Sequence, residues 1–249
     1  MARTLKVGVY GSFFPPIAQA VEQAVMCETF GLDVVAFTDQ MSGNVPNSAF
    51  GELEIAKIWK HQHGFYDALT LAALTAQKTD RIGITIAAID TVRNAPTRLA
   101  QQILTLDHLS EGRTTTGFGV SEAKNLLRYG HPRIGAGQKF TDASRIIRAI
   151  LDNPGKPIYY DGERYSIKGG VVDLAQYGDQ TARIYAACGS SSDNIDLIGE
   201  CYDGMMTSSR PSAKAASTSS SRTSRACAPR PNGMIAIPTG SVSQRSAWF

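Results

Sequence analysis

The sequence is poor in cysteine, with four in 249 residues and no two of them close together. These are Cys27, Cys188, Cys201 and Cys227. Zinc sites and redox dithiols use cysteines in close pairs, so this spacing argues against both. The four histidines are also scattered, and His61 and His63 lack an evident third ligand. We therefore expect thiols of a reducing compartment and no bound metal.

The sequence also lacks an apolar run of about 18 residues, the length that spans a membrane. Its amino terminus, residues 1–6, leads directly into a predicted strand, without the apolar segment of a signal peptide. We therefore expect a cytoplasmic protein without a membrane span.

Acidic residues are absent from the last part of the chain. Asp203 is the last of them, whereas six Lys and Arg residues follow Met206. The net charge of +3 therefore comes from this basic tail. Because the rest of the chain is not basic, we expect it not to bind nucleic acid.

Residues 207–249 also lack a predicted helix or strand of useful length. They are rich in Ser, Ala, Arg and Pro, a composition that buries too little apolar surface to become ordered. The apolar run 234–237 is too short to change this expectation. We expect residues 1–206 to form the folded domain, and residues 207–249 to be a disordered or out-of-frame tail of a truncated or frameshifted product.

Before Met206, short apolar segments alternate with segments of helical periodicity. The predicted strands are 5–10, 33–38, 81–89, the start of 112–123, 183–188 and a sixth from residue 202. The predicted helices are 15–31, 68–76 with Asp67 as its cap, 96–109 opened by Pro96, 140–151 and 193–199. Residues 157–167 are predicted to be a hairpin turning at Asp161 and Gly162. Alternation of this kind predicts an α/β fold with a parallel sheet. The nearly all-apolar strand 33–38 is expected to be buried on both faces.

The segment 112–123 is predicted to be a buried strand that ends in a glycine-rich turn. Gly117 and Gly119 would let the backbone turn sharply and approach a ligand closely. Glu122 then places a carboxylate at the mouth of the turn. In apolar surroundings its pKa would rise and it could donate a proton, or it could simply stabilise the start of a helix.

The long loop 39–66 is the other candidate for a binding role. It carries aromatic and basic groups between Trp59 and Tyr66. Loops of this length are often functional, so its residues could line a substrate mouth or pack on the surface.

Five segments together resemble the bacterial luciferase-like monooxygenase superfamily, in particular its deazaflavin (coenzyme F420) dependent oxidoreductases. These segments are 35–40, 89–96, 99–113, 117–123 and 184–190. The resemblance covers about residues 5–206, and the loop 45–48 is similar to the phthiodiolone ketoreductase type. It implies a TIM (β/α)8-type barrel with a flavin or deazaflavin across the carboxyl ends of the strands. About six of the eight βα units are found, so we expect an incomplete barrel.

The resemblance also implies roles for individual residues. Asp39 lies beside the cofactor in this family, with a loop cap as the alternative, and Gln40 stands where a catalytic His is usual. Ala88 and Ile89 match a non-prolyl cis peptide behind the cofactor ring, or an ordinary strand end. Glu122 matches a carboxylate that acts as an acid.

Small residues at two strand ends complete the predicted cofactor site. Gly117, Gly119 and Ser121 belong to the glycine-rich motif. Gly189, Ser190 and Ser191 follow the fifth strand, where backbone N–H groups and hydroxyls at a helix start could bind the cofactor phosphate, or form a plain turn.

The predicted function is therefore hydride transfer between F420 and a carbonyl-type substrate, which could be a small or a lipid-like organic molecule. Catalysis would rest on Glu122 and Asp39. The alternatives are an FMN-dependent monooxygenase and an inactive remnant of either enzyme. A homodimer is possible.

Overall fold

In the computed structural model, residues 5–179, 182–187, 192–206 and 235–236 are described. Six strands form one curled, parallel sheet in which the spatial order follows the chain. These strands are β1 (Gly8–Tyr10), β2 (Val34–Phe37), β3 (Gly83–Asp90), β4 (Thr114–Gly119), β7 (Arg183–Ala187) and β8 (Gly204–Met206). A TIM barrel has eight such strands, so the predicted α/β fold is confirmed as an incomplete barrel.

Seven α-helices accompany the strands in the described part of the chain. They are α1 (Ile17–Thr29), α2 (Asn47–Phe50), α3 (Ala68–Ala76), α4 (Pro96–Leu109), α5 (Ala123–Leu126), α6 (Ala136–Asp152) and α7 (Ser192–Cys201). Short 3-10 helices span Glu54–Lys57 and Leu127–Tyr129. Asp67 caps α3 as predicted, since its Oδ1 accepts the Thr70 N–H at 2.8 Å. None of the helices described is long and apolar enough to cross a membrane.

The core lies between the sheet and the helices. Val35, Ile84 and Phe118 point from the sheet into this layer and are fully buried. Leu99 of α4 and Ile146 of α6 pack against them. Burial of each such side chain stabilises the folded protein by about 1.5–3 kcal/mol.

The inner face of the sheet is less covered than the sequence predicts. In β2, Val35 and Phe37 are buried, whereas Val34 and Ala36 remain partly exposed. All three residues of β1 are exposed, and this strand is shorter than the predicted 5–10. Both differences arise because β1 is an edge strand and the described chain places no strands opposite this face.

A second, smaller sheet contains the predicted hairpin. Its strands β5 (Ile158–Asp161) and β6 (Ser166–Gly170) are antiparallel. A third strand, β9 (Ile235–Ala236), pairs with Ile158 and Tyr159 in parallel. These two residues belong to the run 234–237, which the sequence indicates is too short to matter, and they find backbone partners on the free edge of β5.

Arg113 joins the amino-terminal end of the barrel to two helices. Its guanidinium donates to the carbonyls of Ala76, Thr79 and Ile82 at 2.8–3.1 Å. It also donates to the Ser110 carbonyl at 2.8 Å. The helix ends that would otherwise leave carbonyls unpaired are thus satisfied.

Candidate active site at the strand ends

The carboxyl ends of β2, β3 and β4 lie side by side, because neighbouring strands of a parallel sheet end at the same edge. The loop after β3 is fixed to the end of β4. The Thr91 N–H and hydroxyl both donate to the Gly119 carbonyl at 3.2 Å. Side chains that follow these strands are therefore brought together.

Asp39, Asp90 and Arg93 form a buried charge cluster at this edge. Arg93 Nη2 lies 2.8 Å from Asp39 Oδ2, and Arg93 Nε lies 2.6 Å from Asp90 Oδ2. The Asp90 N–H also donates to Asp39 Oδ2 at 3.1 Å. The side chains are only 14%, 3% and 11% exposed for Asp39, Asp90 and Arg93.

The protonation of Asp39 is shifted by this environment. Burial raises the pKa of Asp39 above its ordinary value, although the attraction of Arg93 and the Asp90 N–H oppose this effect. The carboxylates in turn raise the pKa of Arg93, against the effect of its own burial. A carboxyl group with a raised pKa at a strand end is suited to hold a proton.

The non-prolyl cis peptide lies one residue earlier than predicted. It joins Ala87 and Ala88, not Ala88 and Ile89. The register between β3 and β4 shifts between Ile86 and Ile89, so the bulge expected here is present. Three apolar residues in succession give no sequence signal for the exact bond, which explains the error of one position.

The sharp turn after β4 is not made by the glycines predicted to make it. Gly117 and Gly119 do not have a positive φ, and the sharp turn falls at Ser121, with φ of 68°. A Cβ atom on Gly117 would lie 2.5 Å from Met206 Sδ and 2.9 Å from the Ile86 carbonyl oxygen. Gly117 is thus required by close packing within the sheet. Ser121 Oγ is buried, and no described residue hydrogen-bonds to it.

Gln40 is held by Asn125, which lies in α5 just after β4. Asn125 Nδ2 donates to Gln40 Oε1 at 3.0 Å. The same Asn125 accepts the N–H groups of Met41 and Ser42 at 3.1 and 3.2 Å. Because a glutamine amide does not titrate, Gln40 serves here to fix the loop and cannot transfer a proton.

Glu122 lies at the surface of this region. Its side chain is 61% exposed, and its carboxylate pairs with Lys124 at 3.1 Å. Lys124 also donates to Asn44. Glu122 is therefore a solvent-exposed carboxylate paired with a lysine. The buried environment expected for Glu122 is found instead at Asp39.

The aromatic residues of the loop 39–66 pack on the loop after β1. Phe14 stacks on Trp59 with ring centroids 4.6 Å apart, and Phe13 stacks on Phe65 at 5.6 Å. The partners Phe13 and Phe14 were not identified from the sequence. Gly189, Ser190 and Ser191 lie outside the described residues.

Arg93, Asp90 and Asn125 are the site residues that the sequence analysis missed. Each follows the end of a predicted strand, where side chains of a parallel sheet converge, so this position was an available signal. The described residues contain no group of three or more His, Cys, Asp or Glu side chains that could hold a metal.

Known proteins resemble this chain over most of its length. The phthiodiolone/phenolphthiodiolone dimycocerosates ketoreductase of Mycobacterium bovis (strain BCG / Pasteur 1173P2) is 25% identical over 180 residues. This match covers 71% of the present chain but only 47% of the ketoreductase. The chain thus matches about half the length of that relative.

Two solved structures share the fold at low identity. An F420-dependent secondary alcohol dehydrogenase, in complex with an F420-acetone adduct, superposes with a TM-score of 0.65 at 22% identity, covering 81% of this chain and 57% of that one. A type II Baeyer–Villiger monooxygenase of Pseudomonas putida, in complex with FMN, gives 0.60 at 17%, covering 81% and 57%.

The family profile described as luciferase-like monooxygenase matches residues 3–239, which includes the strand ends and extends past Met206. On this match over nearly the whole chain, the protein belongs to the luciferase-like monooxygenase family.

Proposed function

We propose that this chain carries the cofactor-binding part of an oxidoreductase that transfers a hydride between a deazaflavin, F420, and a carbonyl-type organic substrate. The carrying observation is the buried Asp39 carboxyl, held by Arg93 at the carboxyl ends of the strands. Barrel enzymes place their chemistry at this end. The F420-dependent alcohol dehydrogenase of the same fold supports the choice of cofactor.

The residues present fit such a group. Ser121 Oγ is a buried polar atom without a protein partner among the described residues, and a ligand atom would satisfy it. A Cβ atom at Gly119 would lie 3.2 Å from the Ala187 carbonyl oxygen, so the strand end has little room for a side chain at this position. We propose that Asp39, Gln40, Ala88, Ile89 and the segment 117–121 would hold the cofactor, together with Gly189, Ser190 and Ser191.

When bound, a reduced deazaflavin would supply the hydride for the carbonyl carbon. Asp39 would then hold the proton for the carbonyl oxygen, since burial raises its pKa and favours the protonated form. Arg93 would orient this carboxyl through Oδ2. Glu122 stays as a second candidate acid, although it is exposed and paired with Lys124.

An FMN-dependent monooxygenase is the second candidate function. The FMN-bound Baeyer–Villiger enzyme of the same fold favours it. The substrate in either case would be a small or lipid-like organic molecule, for which the match to a dimycocerosates ketoreductase gives support.

Titration of the purified protein with F420 and with FMN, followed by ligand fluorescence, tests both candidates. We expect F420 to bind, and we expect Asp39→Asn to leave binding measurable while lowering carbonyl reduction by about a hundredfold or more, the range typical of a lost general acid. Glu122→Gln is the matched carboxyl variant and should retain more activity. Tighter binding of FMN would favour the monooxygenase, and binding of neither ligand would contradict both candidates and favour a non-catalytic remnant.

A further inference from the structure

We propose that Arg93 is a positioning residue, anchored by Asp90. It controls the protonation of Asp39 and leaves one oxygen of the Asp39 carboxyl facing the ligand site. This inference rests on the proposed function for the role of Asp39 in the reaction. The cluster itself is a matter of geometry and can be tested separately.

Asp90 is the fixed member of the cluster. Its Oδ1 accepts the N–H groups of Val92 and Arg93 at 2.5 and 3.2 Å, and its Oδ2 accepts Arg93 Nε. Asp90 therefore holds Arg93 through both its backbone N–H and its guanidinium. An arginine does not lose its proton in proteins, so the cation is permanent.

Asp39 is the variable member. Both of its hydrogen bonds, from Arg93 Nη2 and the Asp90 N–H, reach Oδ2. No described residue hydrogen-bonds to Oδ1, and this oxygen is not among the fully buried atoms without a partner. Oδ1 is therefore left accessible, and it is the oxygen at which a proton can be gained or lost without breaking the cluster.

The three members of the cluster, taken by themselves, carry one negative charge more than positive. One guanidinium lies between two carboxylates, and the repulsion from Asp90 adds to the burial that favours a protonated Asp39. Two further groups face the cluster from other elements. Lys139 of α6 reaches the Val92 carbonyl at 3.4 Å, and Tyr165 of the hairpin turn interacts with Asp90.

The test is a titration of ¹³C-carboxyl-labelled aspartate by NMR in the protein without added cofactor. Comparison with Asp39→Asn identifies the Asp39 signal. In Arg93→Met, the midpoint of Asp39 should rise by about one to three pH units, because a cation in contact with a carboxyl lowers its pKa by this amount. Arg93→Lys should restore part of the shift. Arg128→Met, at the same edge but bonded to Ser42, is the matched control and should leave the midpoint unchanged.

Removal of Arg93 alone leaves Asp90 buried without its cation, which could unfold the protein. The double variant Arg93→Met/Asp90→Asn avoids this problem. Its Asp39 midpoint should still rise, since the attraction of Arg93 acts on Asp39 more strongly than the repulsion of Asp90. Thermal unfolding followed by circular dichroism identifies folded variants.

An Asp39 midpoint that stays unchanged in both folded variants would overturn the proposal. Titration of wild-type and Arg93→Met protein with F420 and FMN separates this result from a failure of the proposed function. If neither ligand binds while the midpoint moves, the proposed function fails and the control by Arg93 stands. If a ligand binds while the midpoint does not move, Arg93 has no such role.

Discussion

Gly117 of β4 lies directly against Met206 of β8. A Cβ atom at position 117 would be 2.5 Å from Met206 Sδ and 2.9 Å from the Ile86 carbonyl oxygen. A flexible methionine can move, but the backbone of β3 cannot. We therefore expect Gly117→Ala to lower the free energy of unfolding by about 1–3 kcal/mol, the usual cost of overpacking.

Urea denaturation measures this loss, and Gly199→Ala is its matched control. Gly199 lies in α7, and a Cβ atom there meets nothing within 4 Å. Since alanine favours helix more than glycine does, Gly199→Ala should be neutral or stabilise by up to about 1 kcal/mol. Equal stability changes in the two variants would contradict the packing argument.

Asn125 should be more sensitive to truncation than to a change of charge. In Asn125→Ala, the N–H groups of Met41 and Ser42 lose their acceptor, at a cost of about 1–3 kcal/mol for the buried Ser42 and less for the exposed Met41. Asn125→Asp keeps an acceptor for both and loses only the bond to Gln40. We expect a clearly smaller loss of unfolding free energy for Asn125→Asp, measured at pH 7 by urea denaturation. A similar loss in both variants would exclude this role of the Asn125 oxygen.

Asp39 should make the stability depend on pH in a defined direction. Its pKa is raised in the folded protein, so the folded state binds this proton more tightly than the unfolded state does. The resulting stabilisation is complete below the ordinary aspartate pKa of about 3.9 and is lost as the pH rises through the folded value. The stability of wild type relative to Asp39→Asn should therefore fall over this interval. Paired denaturation curves between pH 3 and 8 measure it, and a constant difference would refute it.

Glu28 should show the opposite dependence. Burial alone would raise its pKa, but the N–H groups of Asp80, Arg81 and Ile82 donate to its carboxylate and lower the pKa overall. Its contribution is present above the ordinary glutamate pKa of about 4.3 and is lost as the pH falls through the lowered value. The stability of wild type relative to Glu28→Gln should thus fall toward acid pH in the same set of curves. A slope of the same sign as for Asp39 would show that the assigned bonds do not control the titration.

The regular elements were predictable because each has a local cause. The Asp67 cap, the proline that begins α4 and the buried stripe of α6 depend on residues within a few positions of each other. The partly exposed inner face of β2 was not predictable in the same way. It depends on which strands lie across the sheet, and the sequence of β2 carries no information about them.

The site was predictable in its location but not in its pairing. The strand ends indicated where polar side chains converge, and Asp39 was identified there. Arg93 is 54 positions further along the chain, and nothing local distinguishes it from other basic residues near strand ends. The motif favours Glu122 as the acid for a similar reason. The exposure of Glu122 and its contact with Lys124 depend on the folded loop and cannot be read from the motif.

The strand order of the larger sheet also defines a route of assembly. Every strand after β1 pairs with the strand of this sheet that precedes it along the chain. The paired residues are nevertheless far apart along the chain, as with Val34 and Gly83 or Thr115 and Arg183, and parallel pairing of this kind is intrinsically slow. During synthesis, each βα unit after the first can dock on an edge formed by chain that has already left the ribosome, so only β1 has to wait for its first partner.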